Sequence, residues 1–250
     1  MDELFPRMYD CPEDKQIAQG GLYWFFYIIV LRFLFLLVVD GGEFYPELLI
    51  GSHALYFIIN AIIVFLIFRE YLIDAFLNVR LFPMRFFSSV GSSLLAFLVL
   101  EFIIVGLESI ISGTVSLCSL PAVDSLVGGY GIALLWESPI LMGVCLLTIV
   151  PLTMSCLYYA VGFASPCQNR VWLGYLIVAL ISAVPAVLLV TSTGFEVDQA
   201  LWYFIELLPY HLCACWAYQR SDTIWGAIAF QSVANLLSIP FVLFMLFLEA

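Results

Sequence analysis

The chain has 250 residues, 64% of them hydrophobic and 11% charged, with a mean hydropathy of +1.09; a soluble domain is about half apolar. That balance excludes a soluble globular enzyme. A net charge of −11 without any basic patch excludes nucleic acid as a partner. The expected fold class is all-α, a polytopic membrane helix bundle. No alternating barrel pattern appears, and backbone groups in lipid then demand helices.

Residues 1–21 form a polar, acidic tail that carries Arg7 and Lys15. No small-residue cleavage site follows the apolar run at 22–39, which reads as a retained first helix rather than a signal peptide. A second run spans 53–68. The stretch 69–87, REYLIDAFLNVRLFPMRFF, then alternates charged and apolar residues at helical spacing and reads as an amphipathic link along the cytoplasmic interface. The third run, 89–111, holds Glu101 and Glu108, and a long outer loop at 112–137 contains Gly128, Gly129 and Gly131. A fourth run, 138–163, has Pro151 at mid-span, and a fifth, 171–190, has Pro185; each proline should kink its helix. The sixth, 201–218, holds Glu206 and His211. The seventh, 224–248, carries two amides, Gln231 and Asn235, one helical turn apart.

Charge placement supports this count. Arg69, Arg80, Arg85, Arg170 and Arg220 fall in loops two, four and six, and loops one, three and five have no Lys or Arg. The positive-inside rule then puts the N-terminus in the cytoplasm and the C-terminus outside, for a multi-pass protein of the cell membrane. Residues 22–250 thus read as a single transmembrane domain. Seven cysteines include no CxxC, and Cys213 and Cys215 point about 200° apart around a helix, so no metal or other cofactor is expected. The tryptophans and tyrosines read as interface anchors.

Ionisable or amide groups at membrane depth are the candidates for function. Glu101 and Glu108 share a helix face, either bracketing a cation or substrate or pairing with Arg32 as a structural ion pair. His211 is either a hydrogen-bonded core residue or a ligand. Gln231 and Asn235 either fix helix packing or line a polar cavity together with Ser155 and Tyr159, four apart on the fourth helix. His53 reads as interfacial.

One segment carries a resemblance. Residues 218–237, YQRSDTIWGAIAFQSVANLL, resemble the last motif of the CAAX-protease and bacteriocin-processing (Abi) family of intramembrane peptidases. Members show a Tyr-x-Arg-Thr-Gly-Ser-x-Trp turn followed by His-x-x-x-Asn on an apolar helix. Tyr218, Arg220, Thr223 and Trp225 fit the turn and Asn235 the Asn, whereas Gln231 stands at the His. Upstream, residues 150–160 read like Ala-Pro-Ile-x-Glu-Glu-x-x-Phe-Arg-Gly, with Met154 and Ser155 in place of the glutamates and Tyr159 in place of the arginine. Ser182 and Ala186 occupy the Phe and His positions of a further helix. The similarity covers about residues 60–240.

In active members the resemblance implies paired glutamates and histidines that activate a water or hold a metal. Methionine, serine, alanine and glutamine cannot act as bases at neutral pH. Loss of a general base alone costs roughly 10²–10⁴-fold. The leading expectation is therefore an inactive peptidase fold that binds a peptide or another membrane protein, as an immunity-type or regulatory factor. An active peptidase using Glu101, Glu108 and His211 is the second reading, and a small-solute or ion transporter the third.

Overall fold

In the computed structural model, residues 12–26, 46–112, 143–162, 170–192 and 197–249 are described; they form seven helices and no strand. Helix α1, Asp14–Phe25, starts at a capping box in which the Gln16 side chain accepts the Glu13 backbone N–H at 3.1 Å. The helix therefore begins well before the apolar run at 22–39, whose residues beyond 26 lie outside the described ones, as does Arg32.

Helix α2, Pro46–Leu81, is 36 residues long, roughly 54 Å at 1.5 Å per residue. It takes in the second apolar run and continues without a break through Arg69 to Leu81, so the first part of the expected amphipathic link is the C-terminal third of this helix. The chain turns at Phe82 because the residue before a proline is pushed out of the helical region. Pro83 then opens α3, Pro83–Ser112, where its missing N–H costs nothing.

Helix α4 occupies residues 143–162 and is mixed. A short α segment, Val150–Met154, lies between two π-helical ones, Cys145–Ile149 and Ser155–Ala160. The proline expected to kink this helix thus sits between two widened turns. Helix α5, Val171–Ser192, by contrast runs on through Pro185. Helices α6, Val197–Ser221, and α7, Ile224–Glu249, complete the set, and α6 contains a further proline, Pro209. Most of the outer loop and the side chain of His53 fall outside the described residues.

Helix α6 is the hub, packed against α3, α5 and α7, while α7 also touches α2 and α4. The core joins Phe68 and Leu72 of α2, Phe97 of α3, Leu157 of α4, and Ile224 and Phe230 of α7. Five tyrosines, Tyr71, Tyr158, Tyr159, Tyr210 and Tyr218, are 0–6% exposed within it. These five are core residues and not interface anchors, since a phenol is stable inside when its hydroxyl finds a partner. The four cysteines Cys145, Cys156, Cys213 and Cys215 are buried free thiols.

One helix among the described residues, Pro83–Ile111, is long and apolar enough to cross a membrane. Only 11% of its apolar window is buried, so it is not a core helix wrapped on all sides. Phe102 and Ile110 stand 82% and 81% exposed on it.

Candidate functional site: a buried polar network across three helices

The site begins with a backbone defect. Pro151 has no N–H, which leaves the Leu147 carbonyl without its helical donor four residues on. Ser232 of α7 supplies one, its hydroxyl donating to Leu147 O at 2.7 Å; its other acceptor within reach is Ile228 O of its own helix, at 2.8 Å. This contact holds α4 against α7. The π segment that follows turns all of Ser155–Ala160 into the protein.

There the Ser155 hydroxyl donates to Gln231 Oε1 at 3.2 Å, and Gln231 Nε2 donates to the Tyr159 hydroxyl at 2.6 Å. Tyr159 in turn lies 2.9 Å from His211 Nδ1. Donor arithmetic assigns the rest. The Tyr159 proton finds its acceptor in this network at Nδ1, which assigns the imidazole as the tautomer protonated at Nε2. All bonds then run in one direction, from serine to amide to phenol to imidazole, an arrangement in which each polarises the next. Ser155, Tyr159 and Gln231 are 0% exposed and His211 2%. Tyr158 and Tyr210 meet the His211 ring edge-on, with centroids at 5.8 and 5.4 Å.

Four residues singled out in the sequence, on three helices, are thus brought together. Asn235 is placed differently: fully buried one turn along α7, it accepts a hydrogen bond from Tyr210 at 3.0 Å. Tyr210 escaped the sequence reading, although a phenol beside a mid-span histidine needs a partner, which was a usable signal. Asn60, bonded to Tyr23 between α2 and α1, also escaped it.

Met154 packs half-buried on the core. Ser182 turns its hydroxyl back to Val178 O at 2.6 Å, and the side chain of Ala186 is not among those described. Glu101 and Glu108 stand on α3, Glu108 buried and Glu101 partly so. Among the described residues no group of three or more His, Cys, Asp and Glu could hold a metal ion.

The turn between α6 and α7 has its own construction. Asp222 takes φ 63°, the left-handed conformation that Asp tolerates better than most residues. Thr223 Oγ1 donates to Ala75 O at 2.9 Å and Trp225 Nε1 to Leu72 O at 2.9 Å, which ties the turn to α2. Those carbonyls belong to the charge-bearing half of α2. Tyr71 and Tyr218 share a hydrogen bond of 2.8 Å, and Arg85 reaches Arg220 O at 3.0 Å and Asp222 Oδ2 at 3.4 Å. Tyr218, Thr223 and Trp225 thus anchor the turn through their side chains, and Arg220 through its carbonyl alone.

No family model, curated protein or solved structure matches this chain.

Proposed function

We propose that the chain is a multi-pass protein of the cell membrane, related in fold to the CAAX/Abi intramembrane peptidases. It lacks peptidase activity and acts by binding a peptide or another membrane protein. The observation that carries this reading is the closed Ser155–Gln231–Tyr159–His211 network, in which Ser155, Tyr159 and Gln231 stand at positions matched to the family's motif residues. A hydrolytic site needs a base with access to water and room for a substrate carbonyl. Here the only imidazole of the network ends on a phenol and is packed between rings. Membrane placement is supported by the apolar, largely uncovered Pro83–Ile111 and by three shorter apolar helical stretches, Leu147–Ala160, Val171–Ala183 and Ile224–Leu237.

Two results are expected. Protein reconstituted in vesicles should cleave neither prenylated nor signal-like peptides and should carry no stoichiometric zinc. Cleavage that disappears in His211→Ala or Glu101→Gln would restore the active-peptidase reading. An odd number of spans further requires that tags at the two ends lie on opposite sides. In right-side-out vesicles an impermeant protease should remove a C-terminal tag and spare an N-terminal one; equal susceptibility would rule out seven spans.

A further inference from the structure

A cleft of about 430 Å³ opens between the start of α3 and the end of α6, lined by Arg85, Ser88, Ser89, Trp216, Gln219 and Arg220. None of these residues belongs to the buried network. We propose that this cleft binds a phosphate group, with the guanidinium groups of Arg85 and Arg220 as its principal donors.

The donor set is assembled from both helices. The Arg220 guanidinium lies 5.5 Å over the Trp216 ring, which orients its planar fork. Arg85 is fixed from behind, its Nε bonded to Arg220 O and its Nη1 to Asp222 Oδ2 at 3.4 Å. Gln219 is oriented as well. Its Oε1 accepts from the Tyr175 hydroxyl at 2.6 Å, so the end of the amide left for the cleft is the donating NH₂. Ser88 adds an exposed hydroxyl, whereas Ser89 already donates to Arg85 O at 2.7 Å.

Charge decides the class of ligand. Two guanidiniums face one carboxylate, Asp222, whose contact with Arg85 is long and partly exposed, so the cleft keeps a net positive charge. The positive N-terminal end of α3 and the negative C-terminal end of α6 meet here and roughly cancel, which leaves the side chains in control. A carboxylate offers two coplanar oxygens. Two forks, an amide and a hydroxyl arriving from different directions suit the tetrahedral oxygens of a phosphate. On the multi-pass reading proposed above, the positive-inside pattern puts the cleft on the cytoplasmic side, near lipid headgroups. The phosphate can therefore come from a phospholipid or from a phosphorylated soluble ligand.

The test uses the full chain purified in detergent, titrated by calorimetry with inorganic phosphate and, separately, with dihexanoyl phosphatidylglycerol. Saturable binding of at least one probe is expected, weakened roughly 10- to 100-fold in Arg220→Gln, the range for loss of a charged hydrogen bond. Arg220→Lys, which keeps the charge and loses the fork, should fall between. Arg220 is exposed, so thermal unfolding of Arg220→Gln should match the parent, and this variant avoids the loosening of the turn that Arg85→Gln would bring. Binding of the lipid alone assigns the site to a headgroup. Binding of inorganic phosphate that competes with the lipid assigns it to the phosphate group itself. Absence of binding for both probes, or affinities unchanged in Arg220→Gln, overturns the proposal.

Discussion

Replacing Gly226 with alanine is expected to destabilise the protein by about 3 kcal/mol, near the top of the usual range for overpacking. A Cβ at this position would lie 2.1 Å from Ser221 Oγ and 2.7 Å from the Ala217 carbonyl oxygen. The serine cannot swing aside freely, because its hydroxyl is bonded to Tyr218 O and Thr223 O at 3.3 and 3.0 Å. The carbonyl is backbone and cannot move without α6. Displacing α7 instead would break the Thr223 and Trp225 anchors on α2 together. Gly91→Ala and Gly106→Ala are the controls. Both sites are helical and a Cβ at either meets nothing within 4 Å, so alanine should leave stability unchanged or raise it by up to ~1 kcal/mol through helix propensity. Unfolding by SDS titration in mixed micelles reads all three. A Gly226→Ala protein as stable as Gly91→Ala would mean that the turn does not need its close approach.

The helices were largely legible from hydropathy. The apolar runs at 53–68, 89–111, 171–190, 201–218 and 224–248 each fall inside one helix. What hydropathy misplaced were the ends. α2 runs on through Arg69 and Glu70 to Leu81 because helical hydrogen bonding does not stop where side chains become polar; it stops where Pro83 forbids Phe82 the helical region. The π turns of α4 had no residue code, yet Pro151 marked their place, and Ser232 became intelligible only once it was seen to reach the carbonyl that Pro151 abandons.

At the site, Ser155, Tyr159, His211 and Gln231 were each visible as polar groups in apolar runs. Their pairing was not, since it depends on how α4, α6 and α7 rotate against one another. The tyrosines were misjudged for a related reason. Membrane-interface and core phenols have the same composition signal, and only a buried partner, such as His211 for Tyr159 or Asn235 for Tyr210, separates them. Likewise the resemblance of 218–237 to a peptidase motif could not tell a catalytic turn from an anchored one.

Tyr159→Phe is expected to cost about 2 kcal/mol, because one hydroxyl serves two neighbours. Its removal leaves an N–H of Gln231 and the Nδ1 of His211 unpaired in a region that water does not reach. Each orphaned buried group costs roughly 1–3 kcal/mol in a water-soluble protein. Between membrane helices the average interhelical bond contributes only about 0.6 kcal/mol, since the separated helices also find partners. Two lost bonds on the second scale give about 1 kcal/mol, and two orphans on the first give well above 2; a fully closed network places the result between them. The companion variant Tyr159→Phe/Gln231→Leu removes an orphan together with its partner, although it leaves Ser155 without its acceptor. It should be no less stable than Tyr159→Phe alone, a departure from additivity that only a direct contact produces. The outcome also bears on function. Should Tyr159→Phe cost less than ~0.5 kcal/mol, water must already reach Gln231 and His211, and the network is the wall of a hydrated cavity. A loss near 2 kcal/mol, with the double variant no worse, means a closed bolt between α4, α6 and α7. Such a bolt locks the three helices together at their centre, and any ligand must then be met on another surface.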